Sequence, residues 1–335
     1  MTSKRPLVTS PARARRLAHV ALTSCAVWLA AWAPSNVTAQ SGAEAAYQAI
    51  VPLEGPGESA RAAAFGEALK VAVVRASGRG DAATAARVVA AAADPSSYVQ
   101  QYSTTPDRML KVGFDTRAMD QLLQQAGLPW WPAERPAVTV YLFTASVDGG
   151  TRAVTVADRA PERLEVERAA HGRGVPVVWP AGTIDPAAAR ARLGADRAVL
   201  LGLGAAGRYE WIFAHAGQTL RTQGGVARAV DLAADALAAR YAPASTKSLS
   251  AVLLRIGGLA GVRDYAALTE YLEGLSLVRD VSVKQLQRDS VQFELEVRGD
   301  SDLLRRIFAL DGRLVPASAT AAGAAGTVDF VWQDS

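Results

Sequence analysis

Apolar positions recur at three- and four-residue steps in several stretches of the chain. Phe65, Leu69, Val73 and Ala76 do so, as do Met119, Leu122 and Leu123, then Val226, Val230, Ala233, Leu237 and Tyr241, and finally Leu303, Leu304, Ile307 and Phe308. That spacing puts each set on one face of a helix. Elsewhere the period falls to two. Leu110, Val112 and Phe114 alternate with Met109, Lys111 and Gly113, while Val291, Phe293, Leu295 and Val297 alternate with Gln292, Glu294, Glu296 and Arg298. Both read as half-buried strands. Residues 138–143, Val-Thr-Val-Tyr-Leu-Phe, form a nearly continuous apolar run instead, which predicts a strand buried on both faces.

Local punctuation groups these elements into three units. The first, residues 44–132, takes strands at 47–53, 98–102 and 109–114, with a further Ala-rich helix at 84–93. Asp115 is placed to cap the helix carrying Met119, and Gly127 followed by Pro129 stops it. The second unit, residues 137–243, opens on the 138–143 strand and turns at Asp148-Gly149-Gly150. Residues 162–170 suit a charged helix, although Arg163 to Glu167 also alternates like a strand. A strand at 175–179 follows, then a helix that starts at Asp185-Pro186 and ends at Gly194. Residues 198–201, 209–213 and 219–222 read as a strand and a hairpin.

The third unit, residues 249–316, has the order βαββαβ, that of a ferredoxin-like split βαβ plait. Its second helix is capped at Asp300 or Ser301. The Ala/Gly-rich residues 317–326 read as a flexible link, and residues 327–335 as a C-terminal edge strand. The expected fold is therefore α+β or mixed α/β in three small domains.

The first 39 residues have a layout of their own. Lys4, Arg5, Arg13, Arg15 and Arg16 precede an apolar run at 17–33, and Val37-Thr38-Ala39 follows. This is the three-part pattern of a secretory signal peptide with cleavage after Ala39, and it implies a periplasmic protein. The run is short for a spanning helix, so no transmembrane span is expected. Cys25 is the sole cysteine, and Leu22-Thr23-Ser24-Cys25 also fits a lipoprotein cleavage site. Removing the leader takes away five basic residues and no acidic ones. The remaining 31 Lys and Arg face 32 Asp and Glu, a net charge of −1, so there is no basic footprint for nucleic acid. The remainder also has no thiol, which excludes disulfides, thiolate metal sites and a cysteine nucleophile.

Other chemistry is scarce. Gly202-Leu203-Gly204-Ala205-Ala206-Gly207 spells G-x-G-x-x-G, but a strand-like segment, Arg208 to Phe213, follows where a dinucleotide loop must open a helix. We read it as a glycine-rich turn. His171 and His215 stand in no metal-ligand spacing, and Ser77 and Ser146 lack an elbow motif or a base partner. No cofactor is implied. Trp130-Trp131, between Pro129 and Pro132, is the feature with two open readings. The indoles either pack between the first two units, or form an exposed aromatic platform for a glycan or partner.

Tyr98-Val-Gln-Gln-Tyr102, the strand ending Gly113-Phe-Asp115, and residues 126–136 (AGLPWWPAERP) resemble the signature of a family of secreted proteobacterial proteins. That family is catalogued as domain of unknown function 2066 (DUF2066). Gly194-Ala-Asp196 and Val278-Arg-Asp-Val281 extend the resemblance over nearly the whole remainder. It implies no activity and no catalytic residue. The middle unit also resembles periplasmic accessory (TolB-N-like) domains. These readings together favour a non-enzymatic interaction or assembly protein of the cell envelope with a protein partner. The alternative is an envelope hydrolase or glycan-binding protein that uses carboxylates near Trp130 and Trp131.

Overall fold

The period-two and period-3.6 patterns resolve into three sheets and eight α-helices among the described residues. The computed structural model describes residues 47–146, 149–194, 197–205, 207–245, 249–287, 289–317 and 327–333. Residues 1–39, read above as a signal peptide and including Cys25, and most of residues 317–326 lie outside them. In the first unit β1 (Gln48–Pro52) is followed by α1 (Glu58–Ser77), a 3-10 turn at Gly80–Thr84, and α2 (Ala86–Ala93). Next come β2 (Val99–Thr104), β3 (Met109–Phe114) and α3 (Thr116–Gln125), and the strands pair in the order β1-β3-β2. Asp115 caps α3 by accepting from the Ala118 N–H at 2.8 Å.

The second unit contains β4 (Val138–Ala145), β5 (Thr151–Val154), α4 (Pro161–Arg173), β6 (Val177–Val178) and α5 (Pro186–Ala191). It continues with β7 (Val199–Ala205), β8 (Arg208–His215), β9 (Gln218–Gly224) and α6 (Val226–Tyr241). Its sheet runs β5-β4-β7-β8-β9, with β6 pairing the start of β4. The continuous apolar run is explained by the two faces of β4. Val138, Val140 and Leu142 enter the main core, while Tyr141 and Phe143 enter a second cluster with Ala189 of α5. Residues 161–173 are helical, which settles the helix-or-strand ambiguity; Pro161 sits in the first turn and Gly174 closes the end at φ 67°. The strand expected at 175–179 shrinks to two paired residues, and β5 had no expectation.

The third unit comprises β10 (Leu249–Gly257), α7 (Val262–Gly274), β11 (Val278–Leu286), β12 (Ser290–Arg298), α8 (Ser301–Asp311), β13 (Leu314–Pro316) and β14 (Thr327–Trp332). Its sheet order is β11-β12-β10-β14-β13. Here the expectation needs correcting. The C-terminal strand is not at the edge: β14 lies between β10 and β13 and runs parallel to β10. The strand after α8 takes the edge instead. β14 inserts the buried aromatics Phe330 and Trp332 into the core, whereas β13 buries only Leu314 and ends in Pro316. A proline-terminated strand is tolerated at an edge, and two aromatics favour the inner position.

The three sheets do not have three separate cores. One cluster of buried side chains runs from Tyr47 through Trp131 and Leu237 to Trp332, and residues from 47 onward belong to one compact unit. No described helix is long and apolar enough to cross a membrane. The junction is tight at Gly78, the left-handed C-cap of α1, with φ 70°. A Cβ there would lie 2.4 Å from the Ala238 Cβ and 2.5 Å from Trp131 Cε3. Gly78→Ala is therefore expected to cost about 2–4 kcal/mol, combining left-handed strain with overpacking. A thermal unfolding midpoint unchanged within error would refute that.

Candidate functional site

The segment at 128–136 leaves the first unit and enters the second, and it touches all three. The Trp131 N–H donates to the Ala76 carbonyl at 2.7 Å, holding the linker to α1. The Trp130 N–H donates to the Pro243 carbonyl at 2.9 Å, just beyond α6. Glu134 accepts from the Ser276 N–H at 2.8 Å and from its hydroxyl at 2.6 Å, between α7 and β11. A single extended strap thus supplies backbone and side-chain bonds in three directions.

Two arginines cover the two indoles. The Arg135 guanidinium sits 4.1 Å from the Trp131 ring centroid, and Arg298 sits 4.5 Å from that of Trp130, both within cation–π range. Arg135 also donates to the carbonyls of Pro132, Gly174, Arg75 and Trp131, at 2.9, 2.7, 2.8 and 3.3 Å. It joins the end of α1 to the end of α4. Burial, reinforced by the neighbouring Arg75 charge, pushes its guanidinium down to about 9, so it remains a cation at neutral pH.

Trp130 and Trp131 are 3% and 0% exposed. An aromatic platform open to a glycan is therefore not what stands at these positions; the indoles fill the junction. Asp120 of α3 forms the polar part of the same junction. It accepts from both terminal nitrogens of Arg298 at 3.2 and 2.6 Å, from Arg279 at 3.0 Å and from the Tyr47 hydroxyl at 2.5 Å. Burial alone would raise the Asp120 pKa, but the Arg298 and Tyr47 hydrogen bonds and the two arginine charges outweigh it and hold the carboxyl below its ordinary value. Burial, with the Asp120 charge, pushes the Tyr47 phenol well up, which keeps it a donor.

Beside this hub opens a cleft of about 470 Å³ between α1, α4 and α6, lined in part by Gly78, Pro129, Ala238, Ala239 and Ala242. Its charged walls are Arg79, Asp81, Arg173, Asp231 and Asp235. Arg173, 7% exposed, donates to Asp231, to Asp235 at 2.5 Å and to the Gly78 carbonyl at 2.9 Å. Arg79 grips both oxygens of Asp81. None of these five charged groups was singled out by sequence. Asp231 and Asp235 stand four apart on the polar side of α6, a spacing indistinguishable from a solvated helix face.

The other sequence candidates fall apart spatially or chemically. His171 lies in the last turn of α4, where burial, then the Arg75 charge, depresses its pKa. His215 ends β8 and hydrogen-bonds the Tyr241 hydroxyl at 2.9 Å. The glycine-rich G-x-G-x-x-G is a hairpin between β7 and β8, as its sequence context required. Gly202 faces Trp211, whose ring would lie 2.3 Å from an added Cβ, and Gly204 passes close to the Arg208 carbonyl. Both glycines serve close cross-strand packing. Glu294 on the open sheet face pairs with Lys284 at 2.7 Å. Among the described residues, no group of three His, Cys, Asp or Glu is placed to hold a metal.

Comparison with known families bears on the first unit. Residues 42–132 match the family described as Domain of unknown function (DUF8605). This overturns the resemblance to domain of unknown function 2066, for which no match is found. The motifs that suggested it between Tyr98 and Pro132 lie inside the stretch that matches the other family. Tyr98, Gly113, Leu128 and the two tryptophans sit at strand, turn and core positions, which many α+β units would fill with the same residue types. No curated protein and no solved structure matches the chain.

Proposed function

We propose that this is a non-enzymatic interaction or assembly protein of the cell envelope, exported by its basic-then-apolar leader and acting with a protein partner. The observation that carries this reading is the use made of the junction. Its two tryptophans, its buried arginines and Asp120 are all spent on fixing three sheets as one body. Such a body presents a fixed surface, which lowers the ordering cost of association. The third sheet we read as a variant of the ferredoxin-like plait: β11-β12-β10 keeps the first split βαβ, while β14, parallel to β10, stands where the plait has an antiparallel strand. The middle sheet we likewise read as akin to periplasmic accessory (TolB-N-like) domains. Likeness of fold carries no function by itself.

In vivo crosslinking followed by purification of the full chain from the envelope fraction tests this. One reproducible partner protein is expected. Recovery of the chain in the cytoplasm, or turnover of a glycan or ester substrate by the purified protein, would sink the proposal.

A further inference from the structure

We propose that β11 is a self-complementary edge through which two copies of this chain pair antiparallel, joining their five-stranded third sheets into one. This does not depend on the envelope role. β11 ends the sheet order β11-β12-β10-β14-β13 and runs for 9 residues, Val278–Leu286. An edge strand offers a row of backbone N–H and C=O groups to another strand. Most of β11 is exposed, Leu286 at 70%. Of the other strands that edge the three sheets, β1, β2, β5, β9 and β13 carry at most one charged residue each. β11 carries both signs, in Arg279, Asp280 and Lys284.

In a two-fold antiparallel pair, positions equally far on either side of one central residue face each other. With Ser282 at the centre, Asp280 stands opposite Lys284 of the second copy, and Lys284 opposite its Asp280. Val281 then meets Val283, and Val278 meets Leu286. These four residues oppose the buried Leu295, Phe293, Val297 and Val291 of β12, so every pair on the core face is apolar. Moving the centre by one residue destroys the match. On Val281, Asp280 opposes Ser282 and Lys284 opposes Val278; on Val283, Lys284 opposes Ser282 and Asp280 opposes Leu286.

The irregularities of β11 share the same centre. Its register with β12 shifts twice, so that Arg279-Asp280 together oppose Glu296 and Lys284-Gln285 together oppose Gln292. Bulges ordinarily guard an edge, because the extra residue spoils the register with a regular strand. In the pair centred on Ser282 each bulge faces the other, and the register holds. This edge therefore rejects a regular strand and accepts its own copy, which favours a second copy over an unrelated extended peptide. The charges agree. Within the chain Arg279 turns to Asp120 and Lys284 to Glu294, while Asp280 faces the like charge of Glu296 across the ladder. Lys284 has three donors and a half-exposed side chain, enough to serve Glu294 and Asp280 of the second copy together. Leu286 also shares a hollow of about 280 Å³ with Leu259, Val262 and Tyr265, and Val262 is 84% exposed. Pairing sets Val278 of the second copy against Leu286 and shields part of this apolar surface.

The test measures the mass of the purified full chain by sedimentation equilibrium from about 1 to about 500 μM. A monomer–dimer equilibrium is expected with a Kd on the order of 10–100 μM, as suits an interface below the standard size. Asp280→Lys and Lys284→Asp should each weaken it at least ~10-fold, because each sets like charges opposite one another at both ends of the pair. An equimolar mixture of the two variants should recover dimers of wild-type strength, since each then meets the opposite charge on the other. That recovery separates lost pairing from lost folding. A monomer over the whole range would overturn the proposal, as would a dimer that neither single reversal weakens. A mixture that associates no more tightly than the variants alone, or an unrelated protein held at this edge by a chain that stays monomeric, would equally overturn it.

Discussion

Trp131→Ala is expected to destabilise the protein by about 3–5 kcal/mol, the range for removing a fully buried large aromatic. The ring is 0% exposed and packs where Gly78 and Ala238 approach most closely. Its loss also strips the apolar cover from Arg135, whose four carbonyl bonds join α1 to α4. The effect should reach beyond local stability. With the strap loosened, the single urea transition expected of one compact unit should broaden or split, so that the apparent m-value falls. Trp131→Phe separates packing from polarity. Trp131 Nε1 is buried without a hydrogen-bond partner, so phenylalanine sacrifices no bond there and should cost only about 1–2 kcal/mol. Equal losses for alanine and phenylalanine would show that the ring's volume is not what holds the junction.

Local features of this architecture were legible, and long-range ones were not. Asp115, Asp185 and Asp300 cap helices through the N–H groups of Ala118, Ala188 and Leu303, and each cap is written in three or four consecutive residues. The two-faced burial of residues 138–143 was equally visible, because both faces leave their mark on one short stretch. By contrast, nothing near Asp120 announces Arg298, 178 positions away, or near Arg173 announces Asp231 and Asp235. A charged side chain on a helix looks the same in sequence whether it meets water or a distant partner.

The place of β14 failed for a related reason. Strand existence follows from alternation, but strand order depends on which candidate buries more, and Phe330 with Trp332 outweigh Leu314. The Trp pair shows both limits at once. Its importance was evident from composition, while the choice between platform and packing rested on distant partners, Arg298 over Trp130 and Ala76 and Gly78 against Trp131, which its neighbours in sequence do not reveal.

The second large effect should come from Asp120→Asn, and its pH dependence is what identifies the cause. Asp120 holds a bidentate bond to Arg298, which in turn lies over Trp130. Arg279 and Tyr47 complete the set, so the carboxylate connects α3 with β11, β12 and the residue before β1. Removing its charge leaves two arginines without a counterion at a largely buried position, and about 2–4 kcal/mol of stability should be lost at pH 7. Tyr47→Phe, which removes one donor, should lose nearer 1 kcal/mol. The folded-state pKa of Asp120 is lowered, so the unfolded chain takes up its proton first as pH falls. The contribution is thus fully present above the unfolded value of about 4 and is lost as pH drops from there through the folded value. Urea midpoints measured at pH 7, 5 and 3 should show the gap between wild type and Asp120→Asn constant over the first two and smaller at the third. A gap that stayed the same at pH 3 would mean that shape, and not charge, makes Asp120 hold the third sheet to the first.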